Sequence, residues 1–404
     1  MKPEISRRTL LSLGISATAL ALYADSRLKI LDGYTPSVSE KETQLSFYRY
    51  GELSKESAFR YFSTDNDLFL QYYPAIDVPY ANNWSFSRIM SLVIKKEQAR
   101  SVLGKNHIPV FSSDLDRTIR GFSHYIDSER KNFIESSEKP VPPYSTSGSV
   151  YCDDNAWMML NFIDIYGLFR NPSALNTAID LFNFEISNWE EKTGCDPGGI
   201  PWKVQIPGEL NHDRNVVSNA PVAIAGFKLY QLTHDEKYLE WAKKIYTYAM
   251  TTFLTKDMTV IDHIDKNCIP DKTFWSYTYG LMVGVNNLYS EVLKDKNALK
   301  LAEEIALSSL DTLENKPHPW QPPEFMDIYF NELKTLSEAT ENSYLKSEIR
   351  HTIITYAQKL WSNPNIHRNN HLFSFTNPPL LIELVHQAGV SNIFYTASMI
   401  KNRQ

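Results

Sequence analysis

Two adjacent aspartates, Asp153 and Asp154, stand where an apolar helical segment begins, in the stretch YCDDNAWMML (151–160). Carboxylates at a helix start have an ordinary explanation, because they cap free N–H groups and interact favourably with the helix dipole. Two neighbouring carboxyls also suit glycoside hydrolysis, in which one acts as nucleophile or base and the other as proton donor. The pair is therefore either a helix-start feature or a catalytic dyad.

The distance between two such carboxyls decides the stereochemistry of the reaction. About 5 Å leads to retention of configuration and about 6.5–9.5 Å to inversion. Neighbouring residues in the first turn of a helix can place their carboxyls in the shorter range. Two charges so close cannot both ionise easily, so one pKa is expected to rise while the helix N-terminus keeps the other low. That split supplies an acid and a nucleophile together.

The segments that must position these aspartates are helical. From about residue 55 onward, apolar residues recur with helical period, and alternation of period two is scarce. Three segments are apolar around most of their circumference, as in helices buried on all sides, and each precedes a more charged helical segment. The inner segments are 155–169, 219–232 and 274–289, and their partners are 173–192, 235–250 and 296–316.

The connections between these segments are unequal. Inner and outer segments are joined by RNP, THD and KD, whereas the returns run through longer stretches around 194–218 and 256–273. This pattern predicts an all-α toroid of helical hairpins whose inner helices are parallel and whose long loops form one rim. Helical pairs around 55–135 and 323–400 complete an (α/α)6 barrel. An open solenoid is the alternative.

Parallel inner helices would bring their first residues to one mouth. Ser218 and Asn219 open the second inner helix, so Asn219 is expected to reach a bound ligand. Sugar sites combine aromatic rings with polar groups directed at hydroxyls. The aromatic residues expected at this mouth are Tyr151, Trp157, Trp202, Trp275 and Tyr277.

The composition limits the possible partners. The 404 residues are 43% hydrophobic and 13% aromatic, which suffices for a large core. The formal net charge of -6 gives no field that would attract polyphosphates, and no long Lys/Arg run or RNA-binding aromatic motif is present. We therefore expect no nucleic-acid partner, and we expect a monomer.

The first 24 residues are typical of an export signal, with Arg7 and Arg8 ahead of an apolar run that is too short to span a bilayer. SRRTLL resembles a twin-arginine signal, although Leu10 stands where Phe is usual. Sec export or an uncleaved anchor are alternatives. We expect an exported protein, periplasmic or extracellular, that is membrane-tethered if the signal stays uncleaved, with a linker at 25–50 and a single catalytic domain at 51–404.

Cysteine usage is sparse. Cys152, Cys195 and Cys268 are too few and too scattered for a zinc site or a disulfide scaffold, and at most one disulfide is possible. We interpret all three as packing residues.

Several motifs together resemble glycoside hydrolase family 76, the endo-α-1,6-mannanases. The family's hallmark is a tandem aspartate at an inner helix start, and YCDDNAW is similar to it. Further similar segments follow in the family's order, over roughly residues 110–345: GGIPW (198–202), WKVQIPGELNHDRNVVSNAP (202–221) and LYQLTHDEKYLEWAKKIYTY (229–248).

This resemblance implies an (α/α)6 barrel that cleaves α-1,6-mannosidic linkages, in mannan-type polysaccharide or glycolipid, with retention. Carried over, Asp153 would be the nucleophile and Asp154 the general acid/base. It also places the loop with His212 near the substrate. The expected partner is a mannose-containing oligo- or polysaccharide, and neither a metal nor another cofactor is expected.

The chain departs from the family's pattern at three places. Tyr277-Thr278-Tyr279-Gly280 stands where the family commonly has Tyr-Asn-Gln-Gly, so two polar side chains are replaced and Tyr279 becomes a candidate substrate contact. Met158 replaces the usual second Trp, and the segment 324–336 lacks the family's Lys-Gly element. These departures affect substrate preference more than the chemistry.

Other interpretations are weaker. An isoprenoid cyclase needs a third acidic residue at the fifth position of its motif, where Trp157 stands. Asp262, His263 and Asp265 have metal-ligand chemistry without a specific spacing, so a solvated loop is preferred. A non-catalytic carbohydrate-binding protein would keep the aromatic mouth without needing the acids. A mannan transglycosylase would use the same intermediate and admit a sugar hydroxyl instead of water.

Overall fold

The computed structural model describes residues 44–75, 80–104, 109–127, 132–133, 149–191, 198–204, 213–376 and 381–400. In this part of the chain there are twelve α-helices, one short 3-10 helix (Ser123–Tyr125) and seven two-residue strands. The helices are α1 (Gln44–Phe62), α2 (Asn83–Leu103), α3 (Ser113–Phe122), α4 (Cys152–Phe169), α5 (Pro172–Ser187), α6 (Val216–Thr233), α7 (Glu236–Phe253), α8 (Ser276–Leu293), α9 (Lys296–Asn315), α10 (Pro323–Ala339), α11 (Ser343–Ser362) and α12 (Leu384–Met399). The strands are β1 (Tyr72–Tyr73), β2 (Ile126–Asp127), β3 (Asn132–Phe133), β4 (Arg214–Asn215), β5 (His263–Ile264), β6 (Pro270–Asp271) and β7 (Ile382–Glu383).

Six helices form a closed inner ring. α2, α4, α6, α8, α10 and α12 pack each against the next, and α12 packs against α2. The outer helices α3, α5, α7, α9 and α11 each pack against the inner helix that precedes them, and α1 packs against α12. The predicted (α/α)6 barrel is confirmed, and the open solenoid is wrong because the ring closes. The sixth hairpin pairs the first helix with the last.

Burial separates the two layers as the sequence predicts. Every residue of α12 is buried, and the first twelve residues of α6 are buried as well. The outer helix α7 buries only a stripe, which includes Ala242, Ile245 and Ala249. Apolar side chains on all faces of the inner helices therefore fill the space between the layers.

Three hairpins turn by the same device. The last residue of each inner helix is followed by a left-handed residue: Arg170 (φ 54°), His234 (φ 58°) and Lys294 (φ 59°). The next residue, Asn171, Asp235 or Asp295, accepts backbone N–H groups of the outer helix as its N-cap. These tight turns fix the inner helices parallel, with their first residues on the opposite face.

On that opposite face, the long loops that lead into the inner helices form backbone hydrogen bonds with one another. Cys152 N donates to Trp202 O (2.9 Å), and Trp202 N donates to Asp213 O (3.0 Å). β4 then pairs with β5 and β5 with β6, all antiparallel. Three loops that are distant in sequence therefore form one ribbon along the rim. The remaining strand pairs are β1 with β7 and β2 with β3.

The predicted export signal at 1–24 and most of the predicted linker at 25–50 lie outside the described residues. Residues 44–50 belong to α1, so the helical region begins before the predicted boundary at residue 51. This corrects the predicted start of the domain. The boundary was placed too late because the first outer helix is polar and shows little apolar periodicity. Among the described residues, no helix combines the length and apolar character needed to cross a bilayer.

The cysteines divide into two kinds. Cys152 is a buried free thiol, which agrees with a packing role. Cys268 is disulfide-bonded, so the prediction that it only packs is wrong. Cys195 lies outside the described residues.

Candidate active site

The two aspartates occupy the first turn of α4. Tyr151 holds the N-cap position and makes no side-chain cap bond, so Asp153 is not the cap. Asp153 Oδ1 instead accepts the backbone N–H of Asp154 at 3.1 Å. Asp153 retains 8% exposure, whereas Asp154 is completely buried. The helix start stabilises negative charge on both carboxyls through its free N–H groups.

Residues lower on α4 show which sides of the helix the two aspartates occupy. Successive residues are rotated by about 100°, so Asp154 and Asn161 share one direction and Asp153 and Asp164 share another. Asn161 donates to a backbone carbonyl of α2 (2.8 Å), and Asp164 accepts from Lys228 of α6 (2.9 Å). By helical position, Asp154 therefore lies on the side of α4 that faces α2, and Asp153 on the side that faces α6.

The wall on the α2 side is aromatic and cationic. Trp157, one turn below the aspartates, lies against Trp84 of α2, with ring centroids 5.6 Å apart. The Arg88 guanidinium lies over both rings, 5.5 Å from Trp84 and 5.8 Å from Trp157. Trp84 and Arg88 are absent from the predicted site. The NNW sequence at the start of an inner helix was the signal that could have found Trp84.

Trp202 reaches the mouth on the rim ribbon. Its ring lies 4.9 Å from that of Tyr151, and both side chains are half-buried. The preceding Gly198 (φ 122°) and Gly199 (φ 84°) are left-handed, and a Cβ on either would crowd the Tyr248 ring. Glycine is therefore required for the loop to deliver Trp202 to this position.

Asn219, a predicted substrate-binding residue, has a structural role. Its side chain is fully buried, and Oδ1 accepts the backbone N–H of Ile200 at 2.8 Å. Its amide nitrogen donates to the carbonyls of Ile200 (3.0 Å) and Asn215 (2.9 Å). These backbone groups use the amide nitrogen and one acceptor site of the amide oxygen, and the sugar contact stays a prediction. Asn219 fixes the loop that carries Trp202.

The third inner helix contributes two aromatic residues near the mouth. Trp275 is the N-cap of α8, and Tyr277 stacks on Phe325 of α10 with centroids 3.9 Å apart. Tyr279 instead lies under the connection from α7 to α8. Its hydroxyl accepts the backbone N–H of Val260 (3.2 Å), so the structure gives it a packing role and the predicted substrate contact is not formed by that hydroxyl.

A second polar group lies at the starts of α10 and α12, outside the predicted set. Glu324 and His386 approach to 3.7 Å between Oε2 and Nε2, and both are nearly buried. The Trp320 ring stands perpendicular to the His386 ring at 5.6 Å. No local sequence pattern joins these residues, which come from different helices.

The rim loops carry the remaining predicted residues. His212 lies outside the described residues, and Asp213 Oδ1 accepts the backbone N–H of Lys266 (3.1 Å). His263 Nδ1 lies 2.8 Å from Asp262 Oδ2, and ligand-capable atoms of Asp271 complete a group within 4.8 Å. Asp265 instead accepts N–H groups within its own turn. The cluster thus contains Asp271 in place of Asp265.

Glu185 of α5 lies behind the aspartate pair and is completely buried. Burial raises the pKa of its carboxyl well above the ordinary 4.5, and the charge of Asp153 raises it further. A hydrogen bond with the Cys152 thiol opposes this rise. The neutral form of Glu185 is therefore favoured, because it avoids a third negative charge beside Asp153.

Replacing Glu185 with Gln should change how stability depends on pH. The native protein keeps a proton on Glu185 that the unfolded chain releases above about pH 4.5, so native stability falls as pH rises. The E185Q variant lacks this loss, so its thermal stability should rise relative to that of the wild type as the pH increases above about 4.5. Thermal unfolding across this range measures the difference. E240Q, at an exposed position of α7, is the control; parallel curves for wild type and E185Q would contradict the assignment.

Comparison with known proteins agrees with this architecture. The family model described as glycosyl hydrolase family 76 matches residues 122–372, well over half of the chain. The mannan endo-1,6-alpha-mannosidase DCW1 of Eremothecium gossypii is 29% identical over 136 residues. That match spans 30% of this chain and 30% of the relative, so the chain covers less than a third of this protein's length.

Solved structures show the same fold. The GH76A α-1,6-mannanase from Salegentibacter sp. HEL1_6 is 20% identical, with a TM-score of 0.71, and the match covers 88% of this chain and 100% of that one. An inactive variant of that enzyme, with two consecutive aspartates replaced by asparagine, was solved with α-1,6-mannotriose and matches with a TM-score of 0.70 at 19% identity, over 88% of this chain and 100% of that one.

Proposed function

The chain belongs to glycosyl hydrolase family 76, and from this membership we propose that it is a retaining hydrolase of α-1,6-mannosidic linkages. The substrate would be a mannan-type polysaccharide or a glycolipid. The observation that carries the proposal is the position of Asp153 and Asp154, side by side in the first turn of an inner helix at the rim face. Support comes from the mannanase whose inactive variant lacks two consecutive aspartates.

The reaction divides between the two carboxyls. Asp153 Oδ attacks the anomeric carbon and forms a mannosyl ester, while Asp154 donates its proton to the departing glycosidic oxygen. Asp154 then removes a proton from water, which attacks the anomeric carbon and releases Asp153. Asp153 is the more exposed of the two, which suits the group that makes the covalent bond.

Because Asp154 is enclosed, the substrate must displace side chains on the α2 side before the acid reaches the glycosidic oxygen. Tyr151 and Trp202 lie half-exposed beside the pair and offer ring faces to a sugar. Trp157, Trp275 and Tyr277 are nearly buried and would line the deeper part of the mouth. Aromatic rings bind the apolar faces of sugars, and polar groups around them bind hydroxyls.

We also propose that the protein is exported and acts as a monomer. The disulfide at Cys268 supports export, because disulfides persist in oxidising compartments. The signal-like segment at 1–24 supports the same conclusion.

Incubation with linear α-1,6-linked mannooligosaccharides, followed by chromatographic product analysis, tests the activity. We expect shorter mannooligosaccharides, and no cleavage of α-1,2- or α-1,3-linked isomers. Products longer than the starting chain would indicate transglycosylation. Failure to cleave any α-1,6-linked chain would contradict the proposal.

The enclosure of Asp154 favours one second candidate, a non-catalytic carbohydrate-binding protein of the same fold. Such a protein would bind sugar at the aromatic mouth, and the sugar would not need to reach the carboxyl of Asp154. Calorimetric binding of the same oligosaccharides without any turnover would support it.

A further inference from the structure

Arg88 of α2 connects the proposed sugar site to a buried ion network. It lies in the second turn of the helix, where only 5% of the residue is exposed. One ring beneath the guanidinium is Trp157, the residue one turn below the aspartate pair. The helical position of Asp154, on the side of α4 that faces α2, places Arg88 on the same side of the ring as the proposed acid.

The network below Arg88 joins two cations to one hydrogen-bonded carboxylate, and the charge of Glu332 also acts on Lys95. The fully buried carboxylate of Asp327, on α10, accepts from Arg88 Nη2 and from Lys95 Nζ (2.6 Å). One carboxylate therefore faces two cations, and the second cation lies two turns deeper on α2. Asp327 falls in the segment 324–336, where the chain lacks the family's Lys-Gly element.

The donors of Arg88 are unevenly used. Nη2 makes two side-chain hydrogen bonds, to Asp327 and to Ser91 Oγ (3.2 Å). Nε is buried and has no hydrogen-bond partner among the described residues. A buried charged donor without an acceptor is costly and requires an explanation, and a bound ligand that accepts from it is one.

We propose that Arg88 is a substrate-positioning residue, whose unused Nε–H donates to a hydroxyl oxygen of the mannose unit bound beside Asp154. This inference rests on the proposed function, and it identifies a contact for which Asp327 holds the guanidinium in place. Asp327 holds the guanidinium through Nη2, and the two tryptophan rings hold it from the sides. The donor is thus preorganised, and the sugar hydroxyl would replace no existing hydrogen bond.

Two substitutions separate this contact from the ion network. R88M and K95M each remove one of the two cations of Asp327, and each leaves one balanced ion pair. Both should therefore fold with similar loss of stability. Only R88M removes the donor beside Trp157. Dissociation constants for α-1,6-mannotriose, measured by calorimetry in a D153N background that cannot turn over, report binding alone. KM and kcat are measured without D153N.

We expect R88M to weaken mannotriose binding roughly ten- to hundredfold, with KM raised correspondingly, because a hydrogen bond from a charged donor is lost. K95M should stay within about threefold of its parent. R88K, which keeps the charge but not the Nε donor, should resemble R88M in binding.

Unchanged binding in R88M would overturn the inference, and so would an equal loss in K95M, which would assign the effect to Asp327. The proposed function fails separately, if the parent binds mannotriose but the wild type never cleaves it. If the D153N parent does not bind mannotriose and the wild type does not cleave it, both are overturned.

Discussion

Replacing either Asp153 or Asp154 with Asn is expected to lower kcat/KM for α-1,6-mannooligosaccharides by at least about a thousandfold. D153N removes the atom that forms the mannosyl ester, and D154N removes the proton that the leaving oxygen needs. The initial rate of oligosaccharide cleavage measures both. D164N is the matched control, because Asp164 lies on the same face of α4 and pairs with Lys228 instead. We expect D164N to stay within about threefold of wild type.

A substrate with an activated leaving group separates the two roles. A dinitrophenyl group departs without a proton, so D154N should still form the mannosyl ester from dinitrophenyl α-mannoside. The ester would then accumulate, because no base activates water, and azide should accept the mannosyl group. D153N should do neither. Full activity of either variant on the oligosaccharide would remove that residue from the mechanism.

Replacing Asp327 with Asn is expected to cost about 3–5 kcal/mol of unfolding free energy, because two buried cations lose their common counter-ion. Burial already lowers the pKa of Lys95, and Asp327 opposes that shift. Without Asp327, the pKa of Lys95 should fall further below its ordinary value. Urea unfolding at neutral pH measures the loss.

Two further variants test this explanation. D327N/K95M should regain part of the lost stability, because one uncompensated cation is removed with the carboxylate. D164N, which breaks the half-exposed pair with Lys228, should cost no more than about 1 kcal/mol. A D327N protein as stable as wild type would contradict the charge balance assigned to this network.

The barrel could be predicted because the sequence features that specify it lie within single helices and turns. The all-apolar segments become inner helices, and the Arg170-Asn171, His234-Asp235 and Lys294-Asp295 turns combine a left-handed residue with a capping side chain. The aspartate pair was also visible, since it opens an inner helix. The pairing of the first helix with the last was not visible, because α1 and α12 belong to opposite ends of the described chain.

The parts of the site that prediction missed depend on long-range contacts. Arg88 and Asp327 are separated by 239 positions, and neither has a neighbour in sequence that suggests the other. Asn219 shows a structural role that prediction did not include. Its place at a helix start suggested a sugar contact. In the structure, its amide forms hydrogen bonds with the backbone N–H and C=O of Ile200 in the loop. Composition and hydrophobic periodicity do not reveal which loop N–H and C=O groups need a side-chain partner.

The configuration of the first product tests the central claim most directly. Proton NMR during the first minutes of α-1,6-mannooligosaccharide cleavage distinguishes the α- from the β-anomer of the new reducing end, before mutarotation mixes them. Two adjacent carboxyls that act through a mannosyl ester predict that the α-anomer appears first. Initial release of the β-anomer would contradict the account, since it would require a water molecule between carboxyls that are farther apart.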